Sequence, residues 1–250
     1  MHPDFMAAAT IYDDLWQQAK AAFQAGQVQV DAHLTDRTTD RRRGITLVGR
    51  PDQNVCSRIE RLQQELLEYL PGQYFYRTTE YHFTILSPFT AIDQAEPYFA
   101  RLAEYQKAID QALYHANRFS VLFEGITATP SAIMVQGFPQ EAELNRIRER
   151  LRAVLGTYRL NAGLETRYRA ATAHITFIRF QTKPHNLPRL AEVLGRYRRM
   201  EFGGQVFQRV QLVKNDWYMS EDNLELLKEY TLAQPGRPAD GSSKGLQPNR

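Results

Sequence analysis

One short pattern occurs twice in the chain and limits its fold and chemistry more than any other feature. The pattern is His-Φ-Thr-Φ-Φ, where Φ is a large aliphatic residue or phenylalanine, and it is found at residues 82–86 (HFTIL) and 174–178 (HITFI). Composition alone predicts about 0.01 matches in such a chain, so two matches are a strong signal. Both segments are rich in β-branched and aromatic residues, which predicts a β-strand at each.

The strand geometry gives the pattern a chemical meaning. Side chains at positions i and i+2 of a strand point to the same face, so His82 projects with Thr84 while Phe83 faces the core. His174 and Thr176 are related in the same way. If the two strands face each other across a groove, two imidazoles and two hydroxyls converge there.

Two imidazoles across a groove suit the cleavage of a phosphodiester. One neutral imidazole takes a proton from the attacking water or hydroxyl, and the other, as imidazolium, protonates the leaving oxygen. Threonine hydroxyls can donate hydrogen bonds to the nonbridging phosphate oxygens as charge builds there. A shared metal site is the alternative, since neutral imidazoles bind metals well. The sequence shows no third or fourth ligand for it, so we expect neither a metal nor a cofactor.

Hydrophobic periodicity outlines the remaining elements. It predicts helices at residues 10–25, 54–70, 95–117, 141–155, 187–198 and 221–231. Strands are predicted at residues 45–48, 74–86, 119–123, 132–136, 173–180 and 206–213. In the first helix, Ile11, Leu15 and Phe23 are spaced for one buried face. Strands that interleave with helices but include hairpins predict an α+β fold with largely antiparallel sheets.

The chain divides into three parts. Its 250 residues suit a single large domain, which we assign to residues 44–232 because no low-complexity segment interrupts them. Residues 1–43 form a helical extension and connector before this domain. Residues 233–250 are dominated by Gly, Pro, Ser and Ala, a composition that predicts a disordered tail.

Composition and charge exclude several classes of protein. A net charge of +3 is too small to indicate nucleic-acid binding by itself, and it favours a short anionic partner over a long RNA. The single cysteine, Cys56, excludes an internal disulfide framework. No apolar run approaches the roughly 20 residues that span a bilayer. The first arginine is Arg37, which argues against a transit peptide, and we expect a cytoplasmic protein without membrane contacts.

At its two motifs the chain resembles the two-histidine (2H) phosphoesterase superfamily, which includes RNA 2′,3′-cyclic phosphodiesterases and 2′-5′ RNA ligases. The separation of 92 positions between the two histidines is similar to the family's spacing. Residues 45–70 look like its opening strand and helix, 119–137 like the element before its second half, and 206–213 like its closing strand. The chain departs from the family in the 43 residues before the first strand and in the sequence Ser87-Pro88-Phe89.

The resemblance implies a bilobal α+β fold with two pseudo-symmetric antiparallel-sheet lobes, outer helices and a central groove. It also implies a metal-independent phosphodiesterase whose catalytic residues are His82, Thr84, His174 and Thr176. Of the two histidines, we favour His174 as the base and His82 as the acid, although the sequence leaves this order open. A 2′,3′-cyclic phosphate, a 2′-5′ linkage and a cyclic oligonucleotide all remain possible substrates.

Several residues beside the motifs are candidates for substrate binding. Tyr76 and Tyr81 precede the first motif, and aromatic rings beside a phosphodiester site can stack on bases, although strand aromatics are more often core residues. Arg167, Arg169 and Arg179 can hold phosphate, and Arg179 matches a basic residue that often follows the family's second motif. The expected partner is a small nucleotide, a cyclic oligonucleotide or an RNA end. The alternative is a module that binds such a ligand without turnover, and the oligomeric state is left open.

Overall fold

The computed structural model describes residues 3–166 and 169–234. The α-helices in this part of the chain are α1 (Pro3–Gln24), α2 (Gln53–Leu66), α3 (Glu96–Phe99), α4 (Leu102–Leu113), α5 (Glu143–Thr157) and α6 (Leu187–Arg196). The strands are β1 (Arg43–Gly49), β2 (Tyr74–Phe75), β3 (Phe83–Ile92), β4 (Phe119–Thr129), β5 (Ala132–Pro139), β6 (Ile175–Arg179), β7 (Glu201–Phe207), β8 (Arg209–Asn215) and β9 (Glu225–Thr231).

These strands form two antiparallel sheets. The four-stranded sheet has the order β3-β1-β8-β9 and the five-stranded sheet has the order β2-β6-β5-β4-β7. Every pair of neighbours in either sheet is antiparallel. The predicted α+β fold with two antiparallel-sheet lobes is therefore confirmed. Each lobe contains one of the two motif strands, β3 in the first sheet and β6 in the second.

The motif strands alternate as the sequence predicts. Phe83 and Ile85 are fully buried in the core, as are Ile175 and Phe177 on the other motif strand. The motif histidines and threonines, which alternate with these core residues, are only partly buried. Each core side chain of this size contributes about 1.5–3 kcal/mol by leaving water. The apolar half of each motif thus holds its strand firmly while the polar half remains accessible.

Helix α2 holds strand β6 and the segment that follows β2. The side chain of Asp52 begins the helix by accepting a hydrogen bond from the Val55 N–H at 2.9 Å. Further along, the buried amide of Gln63 donates to the carbonyl oxygens of Tyr76 and Phe177 at 3.0 and 2.9 Å. This one amide ties the segment after β2 to β6, the strand of the second motif.

Two predictions near the C-terminus are wrong. Residues 206–213 are not one strand, because β7 ends at Phe207 and β8 begins at Arg209, and the two strands belong to different sheets. The resemblance of 206–213 to a single closing strand is corrected in the same way. Apolar residues that favour strands flank Gln208 on both sides, so the sequence pattern does not show where the chain changes sheet.

The helix predicted at 221–231 is also wrong. Residues Glu225–Thr231 form strand β9, which pairs with β8 along the edge of the four-stranded sheet. Leucine, glutamate and lysine in this segment favour a helix locally, but the unpaired edge of β8 supplies backbone partners that outweigh this weak preference. Of the predicted tail at 233–250, residues 235–250 lie outside the described residues.

The other helices differ from prediction in their ends or faces. The helix predicted at 95–117 is interrupted, since α3 ends at Phe99 and α4 begins at Leu102. Helix α1 begins at Pro3, and its buried face contains Tyr12 and Trp16 whereas their neighbours Ile11 and Leu15 are half-buried. In the part of the chain described, no helix combines the length and apolarity needed to cross a bilayer.

Candidate active site

The first motif histidine is anchored by a backbone carbonyl. His82 lies immediately before β3, and its Nδ1 is 2.7 Å from the carbonyl oxygen of Glu80. A carbonyl can only accept, so Nδ1 carries a proton and Nε2 is the nitrogen left for chemistry. Thr84, two residues later, is partly accessible on the same face, as the alternation predicts.

The turn that supplies this carbonyl is itself held from inside. The side chain of Glu80 is buried, with 2% of its surface exposed. Its carboxylate accepts a hydrogen bond from the Tyr74 hydroxyl at 2.8 Å and one from the Arg77 N–H at 2.8 Å. These bonds fix the short 3₁₀ turn at Thr78–Glu80 and hence the direction of the His82 ring.

The second motif histidine is anchored by a side chain. His174 precedes β6, and its Nδ1 lies 2.9 Å from the hydroxyl oxygen of Thr172. Gly137 of β5 passes so close to this segment that a Cβ at that position would collide with the carbonyl oxygen of Ala173. Thr176 follows His174 on the same, partly accessible face.

Arg148 joins the two motif segments. This arginine of α5 is fully buried, and its Nη2 donates to the carbonyl oxygens of Thr84 at 3.1 Å and Thr172 at 2.6 Å. Its Nε donates to the carbonyl of Ile85 at 2.9 Å. One guanidinium thus holds the first motif strand and the residue that contacts His174.

A second arginine lies beside His82. Arg50, which follows β1, donates from Nη1 to the carbonyl oxygens of Thr79 and Tyr81 at 3.0 and 3.1 Å. Neither Arg50 nor Arg148 was among the residues predicted from sequence. Arg148 could have been found, because it falls on the apolar stripe of α5 with Leu144 and Leu151, where an arginine needs buried acceptors.

Burial and positive neighbours keep both imidazoles neutral. Burial and the charges of Arg50 and His174 lower the pKa of His82 from 6.5 to about 3. The hydrogen bond to the Glu80 carbonyl raises this pKa, but its effect is smaller than that of burial. Burial and the charges of Arg148 and Arg179 lower the pKa of His174 from 6.5 to about 4. Because Arg148 donates to the carbonyl oxygens of Thr84 and Thr172, the two motif segments lie close together. A phosphate anion beside them would raise both pKa values.

The structure places Tyr76 and Tyr81 in the core, with 3% and 1% of their surfaces exposed. The Tyr76 hydroxyl accepts a hydrogen bond from Arg179 Nε at 3.2 Å, so this tyrosine orients the arginine. Stacking on a base would require either ring to leave the core. We therefore omit both rings from the proposed substrate contacts.

The predicted arginines fall in different places. Arg179 lies near His174 and over the rings of Trp217 and Tyr218, at 5.7 and 6.0 Å from their centroids. Arg169 is exposed and pairs with Glu149 of α5 at 2.7 Å. Arg167 lies outside the described residues.

The N-terminal connector adds two arginines to the surroundings of Arg179. Arg42 lies over Trp217 at 5.0 Å, and Arg37 lies 5.2 Å from the centroid of the Tyr218 ring. We call Arg37, Arg42, Arg179, Trp217 and Tyr218 the basic-aromatic cluster. Arg37 and Arg42 each have an acidic neighbour, Asp216 and Asp40 respectively, and Tyr218 is buried. The cluster therefore offers guanidinium groups and the partly buried Trp217 ring without a large excess of charge.

Metal ligation was the alternative use of the two imidazoles. Among residues 3–166 and 169–234, no group of three or more His, Cys, Asp or Glu side chains is placed to hold a metal ion. The sole cysteine, Cys56, is buried, and burial raises the pKa of its thiol to about 11.

Comparison with known proteins agrees with this architecture. A family model described as the 2′-5′ RNA ligase superfamily matches residues 51–216, a span that contains both motifs. The chain belongs to this superfamily, which confirms the resemblance to 2H phosphoesterases. A search of curated protein sequences finds no match.

Solved structures share the fold at low sequence identity. TT0787 of Thermus thermophilus is 14% identical with a TM-score of 0.53, and the match covers 77% of this chain and 99% of that one. LigT of E. coli in apo form is 13% identical with a TM-score of 0.50, and the match covers 78% of this chain and 100% of that one. LigT complexed with 3′-AMP matches with a TM-score of 0.46 at 12% identity, covering 77% and 99% of the two chains.

Proposed function

We propose that the protein is a metal-independent phosphodiesterase that hydrolyses a nucleotide or RNA phosphodiester by two-histidine acid–base catalysis. The observation that supports this most is the pair of imidazoles, each anchored through Nδ1 and each followed by a threonine on the same accessible face. Membership of the superfamily agrees with this chemistry. The scissile bond is a 2′,3′-cyclic phosphate, a 2′-5′ linkage or a bond of a cyclic oligonucleotide.

The proposed reaction is a proton transfer at each end of an in-line displacement. Nε2 of His174 takes a proton from water, the water oxygen attacks phosphorus, and the bond to the leaving oxygen breaks. Nε2 of His82 gives its proton to that oxygen, so the two imidazoles exchange protonation states during one turnover. The hydroxyls of Thr84 and Thr176 donate to the nonbridging oxygens as their charge grows.

The hydrogen bond at Nδ1 of His82 supports this division of roles, whereas the charges beside the two rings do not distinguish them. The Glu80 carbonyl accepts from Nδ1 of His82 and stabilises an imidazolium there. Arg148 and Arg179 disfavour a positive charge on His174, and Arg50 disfavours one on His82. Because both pKa values are low, the proton that His82 needs is taken up when the phosphate anion binds.

The basic-aromatic cluster supports a small substrate. Arg179 is the member nearest the motifs, and a nucleotide with its phosphate between the imidazoles can place its base toward Trp217. A ring–base contact of this kind contributes about 1–3 kcal/mol. A net charge of only +3 favours a small anionic substrate over a long nucleic acid.

The test is a panel of 2′,3′-cyclic nucleotides, cyclic di- and trinucleotides and 2′-5′-linked oligonucleotides, each incubated with the protein in EDTA. We expect turnover of at least one class, lost in His82→Ala and in His174→Ala, with product analysis showing whether a 2′- or 3′-phosphate forms. Turnover that appears only with added metal would refute the proposed mechanism. Tight binding with no turnover would instead support the non-catalytic binding module.

A further inference from the structure

A polar cavity lies on the sheet face that carries the first motif. In the four-stranded sheet, Thr84 of β3 pairs with Val48 of β1, and Val48 pairs with Gln211 of β8, so these three side chains share a face. Arg209, two residues before Gln211 on β8, lies on that face as well. Gln211 and Arg209 line a cavity of about 270 Å³ together with Arg50, which follows β1.

Arg50 connects this cavity with the first motif histidine. The end of β1 pairs with the start of β3, which places Arg50 beside His82. Nη1 of Arg50 donates to the carbonyl oxygen of Tyr81, the residue before His82, at 3.1 Å. Its Nε lies 3.4 Å from Oε1 of Gln211. The guanidinium therefore lies between the histidine and the cavity.

The charge of Arg50 is bound only by neutral groups. In the part of the chain that the structure describes, its hydrogen bonds use Nε and Nη1, and they go to the carbonyl oxygens of Thr79 and Tyr81 and to the amide of Gln211. Burial lowers the pKa of Arg50, as it does for a cation taken out of water. Because buried charges are stabilised by an opposite charge, Nη2 of Arg50 suits an anionic ligand.

The cavity has one further cation and one anion. Arg209 donates from Nη1 to Oε1 of Glu229 at 3.1 Å, and Nε2 of Gln211 donates to Oε2 of the same carboxylate at 3.1 Å. The Arg209 side chain is 69% exposed, so it can also contact a ligand. Two guanidinium groups and one carboxylate give the lining an excess of one positive charge, which favours an anion.

We propose that this cavity binds the phosphate next to the scissile one, on the side of the leaving nucleoside. The inference rests on the proposed function, in which His82 protonates the leaving oxygen and the leaving nucleoside therefore lies on the His82 side. Strands β3 and β8 are about 10 Å apart, a distance that one nucleoside and an arginine side chain can span. A 2′-5′-linked or cyclic oligonucleotide carries such a phosphate, whereas a 2′,3′-cyclic mononucleotide does not.

The test uses three 2′-5′-linked substrates: diadenosine ApA, the isomer ApAp with a phosphate on the second nucleoside, and pApA with a phosphate on the first. Product analysis identifies which nucleoside leaves. We expect kcat/KM to be about tenfold higher than for ApA when the added phosphate is on the leaving nucleoside, the gain expected from a charge-assisted contact. The gain should lie in KM, because the contact is made equally in the ground and transition states. The other isomer has the same charge and should show no gain.

Three variants and a control assign the gain to the cavity. Arg209→Gln should reduce it to about twofold, and Arg50→Gln should abolish it, since a ratio between two substrates cancels any general loss of activity. Glu229→Gln removes the competing carboxylate and should increase the gain. The matched control is Arg189→Gln, which alters another exposed arginine paired with a glutamate and should leave the gain unchanged.

Equal gains for the two isomers, or a gain that Arg209→Gln leaves unchanged, would overturn the inference. Cleavage of 2′,3′-cyclic mononucleotides alone would do the same while the proposed function stood. Calorimetry with a His82→Ala/His174→Ala double variant measures binding of the three compounds without turnover. If one isomer binds about tenfold more tightly than the other, with the difference lost when Arg209→Gln is added, but the wild type cleaves none, the proposed function fails and the phosphate site stands.

Discussion

The two motif segments share one sequence pattern but are anchored by different means. In both, Nδ1 of the histidine contacts the residue two positions earlier, yet at His82 the partner is the Glu80 carbonyl and at His174 it is the Thr172 hydroxyl. A carbonyl allows only one direction of hydrogen bond, whereas a hydroxyl can donate or accept. The first histidine is therefore oriented locally, and the second depends on what surrounds Thr172.

What surrounds Thr172 comes from distant parts of the chain. Arg148 of α5 donates to its carbonyl oxygen, and the carbonyl oxygen of the next residue, Ala173, lies against Gly137 of β5, which hydrogen-bonds to Tyr12 of α1. At the first motif, the bonds that fix Glu80 come from Tyr74 and Arg77, a few residues away. The comparison teaches that a repeated motif can be symmetric in sequence while its two halves differ in chemistry.

The largest effect should come from removing the histidines one at a time, which tests whether their roles differ. His82→Ala and His174→Ala should each lower kcat/KM for a natural phosphodiester by about 10³-fold, because each removes a proton transfer. A nitrophenyl phosphodiester has a leaving group that needs no acid. With it, His82→Ala should regain most of its activity and His174→Ala should not, as steady-state kinetics will show. Equal recovery in both variants would contradict the assignment of acid and base.

The next effect should come from the arginine that spans both segments. Arg148→Met leaves the carbonyls of Thr84, Ile85 and Thr172 without this donor, and we expect the free energy of unfolding to fall by about 3 kcal/mol. Urea unfolding followed by circular dichroism measures the loss. The matched control is Arg189→Met, which breaks an exposed pair with Glu192 and should cost under about 1 kcal/mol. Similar losses in the two variants would show that Arg148 does not hold the motifs together.

A smaller effect should come from the two threonine hydroxyls. Thr84→Val and Thr176→Val keep the volume of the side chain and remove one donor to the phosphate, so kcat should fall about tenfold or more in each. Single-turnover measurements separate this loss from weaker substrate binding. A change confined to KM would mean that the hydroxyls bind the ground state and do not favour the transition state.

The smallest effect concerns stability in mild acid. The pKa values of His82 and His174 are lowered in the folded protein, so the unfolded chain binds more protons as the pH falls below about 7. Their contribution to stability is complete above the unfolded pKa and is lost toward pH 3–4. Between pH 7 and 6 the loss should be about 0.7 kcal/mol for each imidazole. Urea unfolding of the wild type at both pH values measures it, and a His82→Gln/His174→Gln double variant should lose less. An equal loss in the double variant would assign it to other groups.

Much of the fold and half of the candidate site could be predicted from the sequence. The alternation around His82 and His174 predicts which side chains enter the core, because strand geometry leaves a residue only two faces. The hairpin strands near residues 119–136 are equally clear. The helix prediction for Glu225–Thr231 is wrong because this segment forms a strand only by pairing with β8, a partner that no local pattern reveals.

The same difference, between local pattern and contacts made in space, separates the features of the candidate site. By itself the sequence determined the α+β class, the two motifs and the face on which each histidine lies, since these depend on periodicity within a few residues. Only the tertiary structure decided that Arg148 joins the motifs, that Tyr76 and Tyr81 belong to the core, and that the Tyr12 hydroxyl hydrogen-bonds to Gly137. The physical reason is that a buried polar group must find its partner in space, and the partners of Arg148 and Tyr12 lie from about twenty to more than a hundred residues away along the chain.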